Sequence, residues 1–359
     1  MAPRAPSAPE AILPALVNAH THLELSWMRG RIPPADSMPE WAERLVALRR
    51  TVDADPFEPI VDAIREARAF GTALVGDIGN TAAAYEPLTD SELSAVVFRE
   101  LLGFSAADPA DVVARALEEI EALTPIEWLR PAIAPHAPYS VSPALLQSIA
   151  RAAAQQQPLS IHLGESRAEI QFLCDATGPW RDLLERLGVW NPSWRPPGCG
   201  PVEYLDGLGI VNERLLAVHG VQLTDDELSR LAAAGATVVT CPRSNRWTGA
   251  GEPPVERFYR SGVRVAVGTD SLAGVEDLNV FAELAVMRRL APGVPARRLL
   301  RGATIDGAEA LGFGPDLGSI ERGKRGELVA VRVPDDVQDV EEYLVGGIGA
   351  GAIRWLESE

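Results

Sequence analysis

The amino-acid sequence predicts an α/β fold: a (β/α)8 TIM barrel with a small β appendage formed mainly by the C-terminal tail. Three observations carry this. From Pro14 onward, short apolar runs alternate with longer segments of helical period, the signature of βα units around a parallel sheet. The apolar runs number eight, which is what a closed barrel needs. No Gly-x-Gly-x-x-Gly follows the first run, which argues against a doubly wound open sheet.

The candidate strands are residues 15–19, 72–76, 96–101, 129–134, 159–161, 215–218, 236–240 and 263–267. Each is short and rich in Val, Leu, Ile or Ala, as strands buried on both faces should be. Between them lie helices with readable ends. Asp36 and Ser37 precede Pro39 at one start, with Trp41, Leu45 and Leu48 on one stripe. The helix over 59–70 is stopped by Gly71, and segments 111–123, 143–155, 224–234, 256–261 and 277–290 carry apolar residues at three- and four-residue spacing. Residues 188–200 combine two tryptophans with three prolines and predict an ordered loop, either packing or a lid. After Gly312, residues 317–333 predict short strands with turn residues, and residues 1–11 a loose tail. The expected division is a barrel over 12–313, with 1–11 and 314–359 forming the appendage.

Composition narrows the function classes. Net charge is −17, from 33 basic against 50 acidic residues, which excludes a phosphate-backbone partner and leaves a small molecule as the expected one. A hydrophobic fraction of 47% is ordinary for a globular protein. Three widely spaced cysteines form neither a disulfide framework nor a Cys-x-x-Cys site, so a reducing cytoplasm is the expected setting. No apolar run approaches the roughly 20 residues of a membrane span, and residues 1–10 lack the apolar core of a secretory signal.

The chain has five histidines, and every one falls at the C-terminal end of a predicted strand, the face on which barrel active sites are built. His20 and His22 follow the first strand, spaced so that both imidazoles project from one face. His136 follows the fourth strand, His162 closes the fifth and His219 closes the sixth. Asp270 follows the eighth, and Glu165 lies three residues beyond His162. His20, His22, His162 and Asp270 offer three neutral nitrogens and a carboxylate to one divalent ion, Zn²⁺ or Fe²⁺, with a position left for water. Water on zinc has a pKa of about 7, so a hydroxide nucleophile exists at neutral pH. Glu165 is then placed to carry the proton from the nucleophile to the leaving group, and His219 to polarise the atom under attack or hold the hydroxide.

His-x-His, His-x-x-Glu, a lone histidine after strand six and Gly-Thr-Asp-Ser together resemble the amidohydrolase superfamily, in its cytosine-deaminase and adenosine-type deaminase-like branch. Residues 134–142, Ala-Pro-His-Ala-Pro-Tyr-Ser-Val-Ser, resemble the strand-four motif whose histidine, here His136, faces substrate. Cys241-Pro242-Arg243-Ser244-Asn245 resembles the strand-seven motif. The resemblance implies a barrel of the metal-dependent hydrolase type. It puts His20, His22, His162 and Asp270 on one metal, with Glu165, His219 and Asp270 in proton transfer. Binuclear members bridge two ions with a carboxylated lysine after strand four. Here the only lysine is Lys324, so a single ion per chain is expected, zinc before iron.

His-Thr-His-Leu-Glu-Leu-Ser at the start and Phe98-Arg99-Glu100-Leu101-Leu102-Gly103 look most like the aminodeoxyfutalosine deaminase and chlorohydrolase-like group. The implied reaction is hydrolytic deamination of an adenosine-like nucleoside: hydroxide adds to the ring carbon, Glu165 protonates the leaving nitrogen and ammonia departs. Glu24 is a candidate to accept hydrogen bonds from a sugar or base. Trp27, Tyr139, Trp190, Trp194 and Trp247 are candidates to stack on a flat ring or simply to pack. The rival readings are a chlorohydrolase or other amidohydrolase on a heterocycle, a deaminase of S-adenosylhomocysteine or methylthioadenosine, and, last because no ligand is lost, a non-catalytic metal-binding assembly module. A homodimer is the family habit. Fewer than 15 residues precede the first strand, so the N-terminal half of the β-sandwich common among relatives is expected to be vestigial or lost to a shortened gene start. Residues 317–328 resemble its C-terminal half, with Glu327 where an aspartate is commoner.

Overall fold

The computed structural model describes residues 9–153 and 157–356. Strand β1 (Glu10–Pro14) precedes eight parallel strands: β2 (Leu16–Thr21), β3 (Thr72–Gly79), β4 (Ser94–Leu101), β5 (Leu129–Pro135), β6 (Leu159–Leu163), β7 (Leu215–His219), β8 (Thr237–Thr240) and β9 (Arg264–Val267). They pair as two runs of four, β2-β3-β4-β5 and β6-β7-β8-β9. Two seams close the runs into the predicted barrel. His162 N donates to the His136 carbonyl at 3.0 Å, and Thr21 bridges Asp270 in parallel. The second seam is reinforced by Asn18 Nδ2 donating to Thr269 Oγ1 at 2.7 Å and Thr269 N returning to Asn18 Oδ1 at 3.0 Å. Both seams are thus made of residues beside or within the histidine cluster.

All eight predicted strands overlap observed ones. The first runs further than expected, so that His20 lies within β2 rather than after it, because the seam to Asp270 holds the chain extended through Thr21. The interior is filled by Val17, Leu74, Val96, Phe98, Val218 and Val239, and is closed from the N-terminal end by Ala308, Leu311 and Phe313 on and just beyond the short helix Ile305–Ala310.

The predicted helices are present at Met38–Thr51, Phe57–Ala69, Pro109–Glu121, Pro143–Ala152, Asp225–Ala233, Val255–Ser261 and Val280–Leu290. Their starts follow local chemistry: Ser142 Oγ accepts from Leu145 N, and Thr224 with Glu227 forms a reciprocal capping box. The last two residues expected in the 143–155 helix lie outside the described residues. No described helix is long and apolar enough to cross a membrane.

The small sheet departs from expectation in detail. Its order is β1-β10-β11, with β10 (Leu328–Arg332) antiparallel to β1 and β11 (Ile353–Leu356). Within 317–333 only β10 is a strand. Glu10 and Ala11, read as part of a loose tail, pair with Arg332 and Val331, because β10 offers an open edge on which Leu13 can be buried. Residues 1–8 and 357–359 of the expected appendage lie outside the described residues. The Trp-Pro loop is packing: Trp190 stacks on Phe104 at 5.6 Å and Trp194 on Phe172 at 4.9 Å.

Candidate metal centre and active-site cavity

His20, His22 and His162 bring one ring nitrogen each to within 4.8 Å of the others. Asp270 completes the group, with Oδ1 3.5 Å from His22 Nε2 and 3.9 Å from His20 Nε2. The donors are pinned from behind. His162 Nδ1 donates to the His136 carbonyl at 2.8 Å, which leaves Nε2 free. Asp270 Oδ2 accepts from Ser244 Oγ at 2.5 Å, and Oδ1 from Ser271 N at 2.8 Å. Two side chains are aimed by unusual backbone: His219 at φ 74° and Asp270 at φ 62° are in the left-handed region, which few non-glycine residues occupy. Val218 belongs to the barrel interior, so regular alternation would turn His219 outward; instead its ring stacks 5.4 Å from that of His162.

Gly268 allows the close approach of the last strand to the first. A Cβ there would lie 2.8 Å from both Cβ and O of His20, and 3.0 Å from Cys241 Sγ.

The chemistry of the set fits a divalent metal. His20 is fully buried, and neither ring nitrogen has a hydrogen-bond partner, a cost that a metal ligand does not incur. Burial holds the imidazoles neutral: it lowers His22 to about 3 and His136 and His162 to about 4, and carries His20 and His219 well below the usual range, with neighbouring histidines adding to the effect on most of them. A neutral imidazole is the metal-binding form.

Glu165 is 2% exposed, with Oε1 3.6 Å from His219 Nε2 and Oε2 unpartnered. Burial first, then Asp270 and Glu169, pushes its carboxyl well above the usual range. Its turn is set by Glu169, whose carboxylate accepts from Gly164 N and Glu165 N at 2.9 Å each. Asn245 Nδ2 donates to His219 Nδ1 at 2.9 Å.

His22, His162, Glu165, His219 and Asp270 floor a cavity of about 470 Å³, with His20 buried behind them. His136 lines it, its Nδ1 engaged by Ser140 Oγ at 2.6 Å. The outer walls are mostly apolar, with Met38, Trp41 and Leu45 from one helix and Trp180, Leu183 and Leu187 from a neighbouring segment, alongside Arg49 and Arg50. Of the five aromatic residues named from sequence only Tyr139 lines it, stacked 3.9 Å from Trp180. Trp27 and Trp247 pack beside Leu25 and Met28, and Trp190 and Trp194 against phenylalanines.

Glu24 is not brought to the cavity. Its Oε1 accepts from Arg49 Nη2 at 3.0 Å, and its Oε2 from Thr81 N and Oγ1 at 3.1 and 2.9 Å. Both oxygens are thus engaged by the protein, and the side chain is not among those lining the cavity. Beside Glu165 and Asp270, the cavity is lined by a third carboxyl group not named as a site residue from the sequence, Glu100, raised by burial to about 7 and held by Asn80. A signal for it existed: an acid near the end of a strand buried on both faces is seldom a surface residue.

Barrel and donor set define a histidine-rich metal site at the C-terminal mouth of a (β/α)8 enzyme. The chain belongs to the amidohydrolase family, whose model matches residues 11–345, and is a hydrolase acting on C–N bonds. It is similar to the aminodeoxyfutalosine deaminase of Deinococcus radiodurans, with 35% identity over 84% of this chain and 73% of that one. It is also similar to the 5-methylthioadenosine/S-adenosylhomocysteine deaminase of Moorella thermoacetica, with 29% identity over 97% and 84%. Among solved structures, an adenosine deaminase from Xanthomonas campestris with bound zinc matches with a TM-score of 0.81 and 30% identity, over 96% of this chain and 78% of that one.

Proposed function

We propose that the protein is a deaminase of an adenine-type nucleoside, with aminodeoxyfutalosine the first candidate and methylthioadenosine or S-adenosylhomocysteine the second. The observation that carries the reading is the pairing of Glu165 with His219, 3.6 Å apart and buried, on the cavity floor beside His22, His162 and Asp270, with His20 just behind them. The named relatives, all acting on adenine compounds, support it. The apolar outer walls suit a nucleoside with an apolar 5′ substituent.

His20, His22, His162 and Asp270 would hold one zinc ion, which when bound supplies Lewis-acid activation of water. The chain's own residues do the rest. Glu165, its carboxyl raised by burial, delivers a proton to the ring and leaving nitrogens and takes one back from water. His219, with Nδ1 engaged by Asn245, presents Nε2–H to the oxygen that adds to the ring carbon. His136, its ring 4.9 Å from that of His162 and its Nδ1 engaged by Ser140, has Nε2 left for the substrate ring.

The test is turnover of adenosine, methylthioadenosine, S-adenosylhomocysteine and aminodeoxyfutalosine by zinc-loaded protein, followed by adenine-to-hypoxanthine absorbance and ammonia release. Chlorotriazines, with chloride release, are the control class. Turnover of the chlorotriazines alone would overturn the reading.

A further inference from the structure

Cys241-Pro242-Arg243-Ser244-Asn245 runs from the end of β8 into the short helix Pro242–Trp247, and two of its side chains support the site from behind. Ser244 Oγ donates to Asp270 Oδ2 at 2.5 Å and Asn245 Nδ2 to His219 Nδ1 at 2.9 Å, all four residues being buried. Adjacent residues on one turn therefore orient a metal ligand and the histidine beside Glu165. Yet a helix of six residues is too short to be stable by itself, and this one starts uncapped: Cys241, at the N-cap position, makes no side-chain bond to the first turn.

The missing acceptor comes from 40 residues further along the chain. Glu283, fully buried on the helix Val280–Leu290, accepts from Arg243 N at 3.0 Å through Oε2 and from Arg243 Nε at 2.6 Å through Oε1. The rest of the guanidinium holds the segment that follows Asp270: Nη1 donates to Asp277 Oδ1 at 2.7 Å, and Nη2 to the Asp277 carbonyl at 2.8 Å. Arg243 thus ties the helix that carries Ser244 and the chain beyond Asp270 to one buried carboxylate. Only a planar fork of donors meets all these acceptors at once; an ammonium group would meet some and leave the rest. Neither Arg243 nor Glu283 lines the cavity, so neither is in reach of substrate there.

We infer that Arg243, clamped by Glu283, is a positioning residue for two parts of the site at once: through Ser244 it sets Asp270 for the metal, and through Asn245 it sets His219 for the reaction. The metal half is independent of the substrate. The rate half rests on the deaminase reading above.

The experiment is a pair of double-mutant cycles on the full chain. Zinc affinity by chelator competition, kcat on the nucleoside turned over fastest by wild type, and Tm are measured for Arg243→Lys alone and combined with Ser244→Ala or with Asn245→Ala. Alone, Arg243→Lys should weaken zinc binding and lower kcat by about tenfold each. With Ser244 already replaced, it should cost less than about a further twofold in zinc affinity. With Asn245 already replaced, it should cost less than about a further twofold in kcat, because each route is then already cut. Glu283→Gln, of equal size but with one acceptor turned into a donor, should repeat the pattern and serves if Arg243→Lys does not fold. A lowered Tm with zinc affinity and kcat intact, or losses that add in full in both double variants, would make the ion pair a support of the fold alone and overturn the inference. If zinc-loaded wild type turns over no nucleoside, the deaminase reading falls, and the zinc cycle by itself still decides the role of Arg243.

Discussion

Asn245 donates its side-chain amide to Nδ1 of His219 across 2.9 Å, in a region where both residues are buried. A neutral imidazole accepting at Nδ1 carries its proton on Nε2, and Nε2 is the atom 3.6 Å from Glu165. One hydrogen bond therefore decides whether His219 faces the reaction as a donor. Asn245→Ala releases the choice of tautomer and should lower kcat by about 10- to 100-fold, with KM and zinc content little changed. Asn245→Asp, an acceptor at Nδ1, should favour the wrong tautomer and the imidazolium and displace the kcat–pH profile. Steady-state kinetics across pH decides it; an unaltered kcat in both variants would remove His219's donor role.

Glu165→Gln keeps the shape of the side chain and removes its exchangeable proton. The neighbouring imidazoles and Asp270 are untouched, so zinc should bind with unchanged stoichiometry while kcat drops by about 100- to 10,000-fold. Metal analysis and single-turnover kinetics on the same sample separate the two effects. Loss of zinc together with rate would make Glu165 a support of the metal site.

The metal cluster was legible in the sequence because each donor sits at the end of a locally recognisable strand, and barrel topology converts strand ends into one face. His20, His22, His162 and Asp270 needed no knowledge of long-range packing to be grouped. The polar network on the other wall was not legible for the opposite reason. Arg49, Asn80 and Glu100 come from a helix, a turn and a strand, and only the fold joins them. Glu24 looked available since its partners, Arg49 and Thr81, lie 25 and 57 residues away. Nor can residue type announce backbone: nothing in a histidine or an aspartate foretells φ 74° at His219 or 62° at Asp270. The stripe of Trp41 and Leu45 was legible as helical period, but that it faces the cavity was not.

The histidine ligands should leave zinc binding nearly independent of pH down to mildly acidic conditions, the one opposing ligand being Asp270, whose carboxyl burial raises. Imidazole binds metal only when neutral, and a lowered pKa extends the neutral form to lower pH. At about pH 5.5, three histidines with the ordinary pKa of about 6.5 would each be about nine-tenths protonated and weaken zinc binding roughly 1,000-fold. Burial instead places His22 at about 3 and His162 at about 4, with His20 well below its usual range. The apparent Kd for zinc should then change by less than about tenfold between about pH 7.5 and 5.5, with weakening setting in nearer pH 4. Competitive titration of metal-free protein against a chromophoric chelator, corrected for the chelator's own protonation, measures this. A thousandfold loss by pH 5.5 would show unshifted histidines.

Gly268 is where the closing strand passes the first metal-bearing strand, and its lack of a side chain is what permits the contact. In Gly268→Ala the added methyl would meet Cβ and O of His20 at 2.8 Å and Cys241 Sγ at 3.0 Å. Two of these atoms belong to a residue locked inside β2, and His20 is fully buried with no room to withdraw. The strands must part, by overpacking that costs about 1–3 kcal/mol in stability. The hydrogen bonds from Thr269 N and Asp270 N to the His20 carbonyl, at 3.1 and 3.0 Å, lie directly beside the inserted methyl. Separation there carries Asp270 away from His20 and His22 together. The variant should therefore show a lowered Tm and a zinc affinity reduced by at least about tenfold, even though no ligand has been changed. Thermal unfolding of the metal-free and zinc-loaded forms tests both parts. A Tm lowered equally in the two forms, with zinc affinity intact, would confine the glycine's role to packing.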